Sequence, residues 1–521
     1  MHSPFRYALV WRITALLCFM QAVYAALYIH HSSRIVEGQR YFVLFDDALI
    51  SMRYARHLAN GEGLTWNPGE RVEGYTNLGW TLIMALLHLP GWSCSNTCLA
   101  VQILGAVILW LCLIATAKLA RAVMLPPVAA CGAVVLTAAY YNLLLFSLSG
   151  METALLCLLV TFSFVATCRS LRRREGSARP FIWLAMAVLV RPDALLIVAF
   201  SAIVQLFAAR KKRWHILGGL LFVGGVLGLL TIWRWSYYCN WLPNTYYLKV
   251  TGWPLADRLT AGLRQALWTG MTLAVPFVIS LTCFLRVKPW HWLLVGSFTL
   301  MLAYQTWVGG DFVSLSRFVV PVVPGLLVAT VWGMEQLLRA FLTYRHSPAA
   351  RAARIAMAVV VVGAINGPLL KQLFLLEPTY GSQNAAMNLR LYRAIEHTAD
   401  RDASVAVTWA GLVPYFSDRQ CYDLLGKCDP VIARMQAIPG VNWAGHNKHD
   451  LRYSISTHQP DLILHAVAPE LLRAGYEYQV IEIDGYSVCF STRRGYAGLH
   501  DTSRMPPVRA VALIREANRL D

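Results

Sequence analysis

Charged residues are scarce in this chain of 521 residues, at 14%, whereas hydrophobic residues make up 57%. A soluble globular domain carries about 25% charged residues and at most about half apolar ones, so this composition excludes a water-soluble protein. The 35 Gly and 23 Pro follow no period, which excludes a collagen-like or repeat-built chain. Aromatic residues reach 12%, which excludes a disordered chain. What remains is a protein that crosses the membrane several times.

The sequence patterns of several common sites are also missing. No string matches GxxxxGK[ST], the loop that cradles nucleotide phosphates, and no spacing of Cys and His resembles a zinc site. We therefore expect no metal and no cofactor. The 46 Lys and Arg exceed the 28 Asp and Glu. In a membrane protein this excess is typical of cytoplasmic loops that touch anionic lipid, so we expect membrane lipid and no nucleic acid as a partner.

The apolar runs predict many membrane helices. The first run, Ile13–Ile29, follows Arg6 and Arg12 and is long enough to cross a hydrocarbon core of about 30 Å. A basic flank before an apolar run also describes a cleaved secretory signal, but many runs follow, so we favour a retained anchor. Together the runs predict a mainly α-helical, multi-pass membrane protein with about 10 to 12 membrane helices, some of them half-length.

The positions of the basic residues predict which loops face the cytoplasm. Lys and Arg are concentrated between the apolar runs, most densely at 169–179 and 210–213. The positive-inside rule assigns these segments and the N-terminus to the cytoplasm. The intervening segments then lie outside, and they hold most of the acidic residues that precede the tail. Because carboxylates beside a bilayer are costly and tend to line functional cavities, we expect the active face outside.

The chain changes character after residue 376. Residues 1–376 are predicted to form the membrane domain, with a first outer loop at about 31–77, and 377–521 a small soluble domain on the outer face. The string YEYQVIEIDGYSVCF alternates apolar and polar residues, which predicts β-strands. We therefore expect a C-terminal α/β domain that is large enough to bury its own core.

Two pairs of cysteines stand close together in segments assigned to the outside. Cys94 with Cys98, and Cys421 with Cys428, are each compatible with a disulfide in an oxidising compartment. The spacing does not require a bridge, and both states stay open for each pair.

The acidic pair Asp46 and Asp47 follows the first apolar run directly. One interpretation is structural, because carboxylates at a helix start accept backbone N–H bonds and suit the helix dipole. The other is functional, with a carboxylate at the membrane surface acting as general base on a hydroxyl. The two interpretations can hold together, with one Asp capping and the other reaching into a cavity.

Cations stand at other outer-face positions, in particular Arg53, Arg191, Lys249 and Arg317. Some could simply extend toward the membrane surface. Cations, a carboxylate base and aromatic surfaces are also what is needed to hold a lipid-linked phosphate and deprotonate an acceptor hydroxyl. An outer-face site has no access to cytosolic nucleotide sugars, so the donor should be membrane-borne.

Several strings together resemble one family. They are FDDALISMRYARHLANGEGLTWNPGERVEGYTN, SGMET, RPD, WLPNTYYLK, GGDFxxxxRF and GLVPYFSDRxxxDLLGKCDP. In this order the chain is similar to the GT-C class of polytopic glycosyltransferases, and more narrowly to its arabinofuranosyltransferase-like branch. The similarity extends from Asp46 to about Pro430. The first string is long and specific, whereas each of the others alone is weak.

The resemblance implies a reaction and a place. A sugar, D-arabinofuranose in the first instance, is transferred with inversion from a polyprenyl phosphate such as decaprenyl-phosphoarabinose. The acceptor is a periplasmic glycan of the cell envelope or a surface protein such as type IV pilin. The enzyme lies in the inner membrane of a bacterium, with its C-terminal domain in the periplasm, and uses no metal.

The resemblance also implies roles for residues. The general base is Asp46 or Asp47, and Arg53, Lys249 and Arg317 hold the donor phosphate. The remaining positions that match the motifs are expected to line the substrate cavity, and they are His57, Glu73, Tyr75, Asn77, Glu152, Arg191, Asp193, Asn244, Tyr247 and Asp311.

Two other functions fit parts of the pattern. A transferase of the same class could move a hexose, mannose or glucose, from the same kind of donor. A transporter of a lipid-linked sugar would also have many spans with buried charges, but transporters often consist of two related halves. The sequence contains no internal repeat, and its charged strings cluster on one side.

Overall fold

The computed structural model describes residues 7–282, 284, 287–312, 315–341, 347–466, 469–507, 509–510 and 512–513. Helices dominate the chain before residue 374. In chain order the elements of this part are α1 (Ala8–Ser32), β1 (Arg34–Val36), β2 (Gln39–Tyr41), α2 (Asp46–Ala59), α3 (Leu78–His88), α4 (Cys94–Ala122), α5 (Pro127–Ala138), α6 (Tyr141–Leu148), α7 (Thr153–Arg173), α8 (Arg179–Val190), α9 (Ala194–Ala208), α10 (Trp214–Tyr238), α11 (Asn244–Val250), α12 (Leu255–Thr272), α13 (Ala274–Leu281), α14 (Pro289–Trp307), α15 (Val323–Phe341), α16 (Pro348–Asn366) and α17 (Leu370–Leu373).

Six helices of the described chain are long and apolar enough to cross a membrane. They are α1, α4, α7, α10, α15 with the turn before it, and α16 with its continuation to Leu373. The bent pair of α5 and α6, with 50° between its halves, adds a seventh if it counts as one span. The prediction of a mainly α-helical, multi-pass membrane protein is confirmed. The predicted 10 to 12 membrane helices included half-length ones, and the described residues hold six or seven full-length candidates together with shorter apolar helices.

Breaks within the apolar runs account for the half-length helices. The run at 181–208 divides into α8 and α9 because Pro192 disfavours a helical conformation at the preceding residue. Arg191 is indeed extended, with φ −154° and ψ 130°. α3 has only 11 residues, or about 17 Å of helix, which is too short to cross the bilayer core. α3, α8 and α9 are thus half-length apolar helices.

The membrane helices differ in how much protein surrounds them. α7 and α15 are buried over most of their length, whereas α1, α10 and α16 expose most of theirs. The exposed side chains of α10 are apolar, for example Phe222, Leu229 and Ile232. A helix that is apolar all round and unpacked on one side is typical of lipid contact.

The chain after residue 381 contains the larger sheet. Its elements are α18 (Ser382–Thr398), β3 (Val405–Val407), α19 (Leu412–Ser417), β4 (Cys421–Asp423), α20 (Leu451–His458), β5 (Leu462–Ile463), α21 (Pro469–Arg473), β6 (Tyr476–Ile483), β7 (Tyr486–Arg493) and β8 (Ser503–Arg504). The order in the sheet is β4-β3-β5-β7-β6-β8. β3 is parallel to β4 and β5, while β6 and β7 form an antiparallel hairpin.

The hairpin coincides with the string YEYQVIEIDGYSVCF. Its turn consists of Asp484 and Gly485, both with positive φ, of 51° and 75°. Such turns match the right-handed twist of the two strands. The predicted strands and the α/β character of the tail are confirmed, and the domain boundary near residue 376 stays a prediction.

The cysteines of both candidate pairs are free thiols. Cys98, Cys421 and Cys428 are buried and Cys94 is half-buried. Cys94 Sγ lies 3.5 Å from an Arg56 guanidinium nitrogen. These thiols therefore pack as small side chains of the interior.

Gly105 marks a close crossing of α4 and α6 and provides a test of the packing. Its carbonyl accepts a hydrogen bond from Ser147 Oγ at 2.8 Å, and a Cβ on Gly105 would overlap the Ser147 carbonyl. Small residues permit this approach between membrane helices. We expect Gly105→Ala to lower the free energy of unfolding by about 1–3 kcal/mol, seen as a lower melting temperature in detergent. The control is Gly224→Ala on α10, where a Cβ has open space, and an equal loss in both variants would contradict the packing argument.

Candidate active site

The helix α2 places Asp46 and Asp47 at the boundary between the membrane helices and the C-terminal sheet. Neither carboxylate caps the helix on which it lies. Asp46 Oδ1 instead accepts a hydrogen bond from the Leu412 N–H at 2.9 Å, and Leu412 begins α19. Gly411 permits this approach, because a Cβ there would overlap Asp46. Asp46 therefore does cap a helix start, as one interpretation of the sequence predicted, but the helix is α19 and not α2.

Asp47 points away from Asp46 and lies between two cations. Its Oδ1 is 2.6 Å from Lys427 Nζ, and its Oδ2 is 3.2 Å from Arg317 Nη1. Lys427 comes from the turn after β4, 380 residues farther along the chain. The carboxylate therefore joins the membrane part to the C-terminal part by two charge-assisted hydrogen bonds.

Asp311 and Lys249 extend this group of charges. Arg317 grips Asp311 with two nitrogens, Nε at 2.8 Å and Nη2 at 2.9 Å. Lys249 Nζ is farther from the same carboxylate, at 3.8 Å. Among these cations Lys249 has the loosest pairing, so it is the one most free to bind an anion.

A second group of charges forms the opposite wall. Arg191 Nη1 is 2.7 Å from Glu152 Oε1, and Arg191 Nε is 3.0 Å from Asp193 Oδ1. Asn77 donates to Glu152 Oε2 at 3.2 Å and accepts from Ser51 Oγ at 2.9 Å. Arg191 is thus held between two carboxylates, which makes it a rigid part of the wall.

These two groups face a cavity of about 310 Å³. Its polar lining includes Asp47, Ser51, Tyr75, Asn77, Glu152, Arg191, Asp193, Lys249, Arg317 and Lys427. Its apolar lining includes Leu242, Tyr246 and Trp307, which are themselves exposed at the protein surface. One end of the cavity is therefore charged and the other is apolar and open.

A larger cleft of about 1020 Å³ lies between α12 and the C-terminal region. Phe312, Trp409, Trp443 and His446 line it, and the Phe312 and His446 rings stack with centroids 4.0 Å apart. A small pocket lined by Asp46, Asp47, Lys427 and His446, among others, shares walls with the cleft. Asp47 and Lys427 line both this pocket and the 310 Å³ cavity. The two aspartates thus lie where the two spaces meet.

The surroundings drive the pKa values of the two aspartates apart. Burial raises the pKa of Asp46 to about 6, against the opposing charge of Lys427. Burial acts on Asp47 in the same sense, but the charges of Lys427 and Arg317 outweigh it and hold the pKa of Asp47 well below its ordinary value. Neighbouring carboxylates with such different environments are suited to different roles.

Lys249 and His446 are affected by the same low-polarity setting. Burial lowers the pKa of Lys249, although the nearby Asp311 carboxylate opposes the shift. Burial lowers the pKa of His446 to about 3, so this ring is neutral at physiological pH. Its stacking on Phe312 makes it part of the aromatic wall of the cleft.

The placement of Arg53 corrects its predicted role as a phosphate ligand. Its side chain is 1% exposed, and the guanidinium donates to the carbonyls of Trp66, Pro414 and Arg419 and to Asn67 Oδ1. Backbone carbonyls of the first outer loop and of the C-terminal region thus take up the donors of this guanidinium. Arg53 is a structural link behind α2.

His57, Glu73 and Tyr247 also lie away from the lining of the 310 Å³ cavity described above. His57 Nδ1 is 2.9 Å from the Thr65 carbonyl, and Glu73 forms a salt bridge of 2.6 Å with Arg234. The ring of Tyr247 is covered by the Arg434 guanidinium, 4.1 Å from its centroid. The expectation that these side chains line the substrate cavity is corrected, because each is engaged elsewhere.

Asn244 does not line the cavity and instead binds the backbone of a segment that does. Its Nδ2 donates to the carbonyls of Gly426 and Lys427, both at 3.0 Å, and of Asp429 at 3.2 Å. It therefore fixes the turn that presents Lys427. Lys427 itself lay in the string DLLGKCDP but was missed as a site residue, since its partner carboxylate is so distant in the chain.

Within the described residues, no three His, Cys, Asp or Glu side chains are grouped in a way that could hold a metal ion. The expectation of a metal-free reaction stays a prediction.

The chain shares sequence with two named enzymes. Over 263 residues it is 32% identical to the terminal beta-(1->2)-arabinofuranosyltransferase of Mycobacterium tuberculosis, a match that covers 44% of this chain and 39% of that protein. Over 271 residues it is 26% identical to the enzyme of the same name from Corynebacterium glutamicum, covering 44% of this chain and 37% of that protein. The chain resembles the arabinofuranosyltransferases. The predicted resemblance is confirmed, over less than half of the length of these relatives.

The fold has a relative among solved structures. The oligosaccharyltransferase of Archaeoglobus fulgidus in its apo form superposes with a TM-score of 0.50 at 12% identity, covering 81% of this chain and 65% of that chain. This likeness concerns the fold, and the predicted GT-C type is confirmed. Residues 378–500 match a family described as "Domain of unknown function (DUF8728)", and this match includes Lys427.

The buried position of Arg53 provides a test of its structural role. We expect Arg53→Met to lower the free energy of unfolding by about 3 kcal/mol, since buried carbonyls lose their charged partner. The measurement is thermal unfolding in detergent. The matched control is Arg494→Met, whose side chain is 69% exposed, with an expected change within about 0.5 kcal/mol. An Arg53→Met protein of unchanged stability that no longer binds a lipid phosphate would restore the ligand role.

Proposed function

We propose that this protein is a membrane glycosyltransferase that moves D-arabinofuranose from a polyprenyl phosphate to an acceptor hydroxyl, with Asp46 as general base. The observation that carries the proposal is the position of Asp46 and Asp47 at the junction of two spaces of opposite character. One space suits a lipid-linked phosphate and the other suits a carbohydrate.

The 310 Å³ cavity fits the donor. Lys249, Arg317 and Lys427 provide positive charge at its inner end, where a phosphate would bind through charge-assisted hydrogen bonds. Leu242 and Trp307 form an apolar rim that is exposed at the protein surface, just beyond the end of α10 and at the end of α14. A polyprenyl chain can therefore remain in the bilayer while its phosphate lies beside Asp47.

The 1020 Å³ cleft fits the acceptor. Aromatic rings pack well against the C–H faces of sugar rings, and Phe312, Trp409 and Trp443 line this cleft. The centroid of the Phe312 ring lies 5.8 Å from the ring centroid of Trp409 and 5.8 Å from that of Trp443. Ligand sites typically combine such apolar walls with a few well-placed polar groups. A sugar held here would present a hydroxyl toward Asp46 through the small pocket that the two spaces share.

The reaction follows from these positions. The acceptor hydroxyl attacks the anomeric carbon of the donor sugar, the bond from that carbon to the phosphate oxygen breaks, and the hydroxyl proton passes to Asp46. A base is most effective when its pKa is near the working pH, and the pKa of Asp46, about 6, meets this condition. Among the described residues Asp46 Oδ2 has no hydrogen-bond partner, which leaves it available for this proton. Lys249, Arg317 and Lys427 stabilise the charge that develops on the leaving phosphate.

The choice of sugar, acceptor and compartment rests on other supports. The names of the two relatives favour an arabinofuranose. The basic loops favour a cytoplasmic N-terminus and a C-terminal part on the outer face of a bacterial inner membrane. The acceptor is then a cell-envelope glycan or a surface protein such as pilin.

Sugar transfer by the purified full chain tests the proposal. We expect the wild type to transfer a pentose from polyprenyl-phosphoarabinose to an envelope acceptor fraction, read as a mass increase of the acceptor. Asp46→Asn should reduce kcat by at least about a hundredfold with little change in stability, because Asn still accepts the Leu412 N–H bond. Transfer only from polyprenyl-phosphohexoses would replace arabinose by a hexose in the proposal. No transfer from any of these donors would favour transport of a lipid-linked sugar.

The pH dependence of transfer provides a separate test. A general base must be deprotonated, so kcat/KM should rise as pH increases through about 6 and then level off. The charged groups around Asp46 are Lys427, which lowers its pKa, and Asp47, which raises it. The residual activity of Asp46→Asn should show no step near pH 6, and a step that persists in this variant would assign the base elsewhere.

A further inference from the structure

Lys427 is the one cation in the described site that the C-terminal region contributes. Its side chain is only 14% exposed, and Lys427 lines both the small pocket and the 310 Å³ cavity. A lysine that simply joined two parts of a protein would not need to face two cavities. Its ammonium group is placed where a ligand in either space would meet it.

The backbone around Lys427 is held firmly. Asp423 accepts hydrogen bonds from the N–H groups of Leu425 at 2.9 Å and Cys428 at 2.7 Å. Asn244 binds the carbonyls of Gly426 and Lys427 from the other side. Asn244 begins α11, the helix that also carries Lys249. Asn244 therefore ties the turn that carries Lys427 to the helix that carries Lys249.

Asp47 has the geometry of a phosphate substitute. Its two oxygens bridge Lys427 and Arg317 at 2.6 Å and 3.2 Å, as two oxygens of a phosphate would. Arg317 also forms a salt bridge with Asp311, which does not depend on Asp47. In contrast, Asp47 provides the only ion pair of Lys427 in the part of the chain that the structure describes.

We propose that Lys427 is a ligand of the donor phosphate, and that Asp47 occupies the phosphate's place against Lys427 and Arg317 while the site is empty. The inference rests on the proposed function, since it needs a phosphate-bearing donor. On donor binding, Lys427 turns from Asp47 to the phosphate. Cleavage of the donor converts a phosphodiester into a monoester with an additional negative charge, which a third cation next to Lys249 and Arg317 stabilises.

The inference predicts opposite effects for the two partners of one ion pair. Lys427→Met removes a phosphate ligand, so we expect the affinity for a lipid phosphate to fall by about tenfold. Asp47→Asn removes the internal competitor, so we expect the affinity to rise severalfold although transfer is impaired. A purely structural ion pair predicts the same sign for both, since each change leaves a buried charge unpaired.

The experiment measures binding of farnesyl phosphate to the purified full chain in detergent, with farnesol as the uncharged comparison. Wild type, Lys427→Met, Lys427→Arg and Asp47→Asn are compared, and each is checked by thermal unfolding. Lys212→Met is the matched control, because Lys212 is 54% exposed and pairs with Glu175 away from the site. We expect Lys427→Arg to retain most of the affinity and Lys212→Met to retain all of it.

The outcomes separate this inference from the proposed function. Equal binding of farnesyl phosphate and farnesol by the wild type would overturn the donor class and the inference with it. Phosphate-specific binding that survives in Lys427→Met, or that weakens in Asp47→Asn, would overturn the inference alone. If Lys427→Met does not fold, Asp47→Asn still decides by the direction of its change.

As a second measurement, Lys427→Met should move the midpoint of the kcat/KM profile to higher pH, because the pKa of Asp46 loses the charge that lowers it. An unmoved midpoint would contradict a role at the reacting centre.

Discussion

Charges that are removed from water next to a bilayer must be paired, and the active site is organised around this constraint. An isolated buried charge costs several kcal/mol, whereas a well-paired one is tolerated. The part of the chain before the C-terminal region meets some of this requirement itself, with Arg191 between two carboxylates and Arg317 paired with Asp311. Asp47 is paired fully only when Lys427 arrives from the C-terminal region. The C-terminal region is therefore a component of the site and more than a cover for it.

The helix α2 is where the two parts are joined. On one face it carries the aspartates, and on another Arg53 and Arg56 donate to the carbonyls of Pro414 and Tyr415 in α19. Hydrogen bonds from charged donors to buried acceptors contribute about 1.5–3 kcal/mol each. Because Asp46 also caps α19, the orientation of the acidic pair depends on the same contacts that dock the C-terminal region. The contacts of α2 therefore determine both how the C-terminal region docks and how the two aspartates are oriented.

Local patterns in the sequence predicted what depends on local physics. The apolar runs predicted membrane helices, and alternation predicted the hairpin of β6 and β7, because hydrophobic period follows backbone geometry. Which of the predicted membrane helices are half-length could not be predicted reliably, because a break such as that at Pro192 divides a run without reducing its hydropathy. Arg53 was misplaced and Lys427 was missed for a shared reason: the partner of a buried cation is set by tertiary contacts, here with residues more than 360 positions away. Sequence distance conceals such pairs.

The separation of roles between Asp46 and Asp47 follows from helix geometry. Consecutive residues on an α-helix point about 100° apart, so neighbouring carboxylates meet different partners even where both border one pocket. Asp46 points toward the N-terminus of α19 and lines the small pocket, and Asp47 points toward the cations of the cavity. Lys427 touches Asp47 and lowers the pKa of Asp46 through its charge. If a donor phosphate neutralises Lys427, the pKa of Asp46 rises and the base becomes stronger at the moment when the leaving group is in place. An adjacent acidic pair and one distant lysine are then sufficient to couple donor binding to deprotonation of the acceptor.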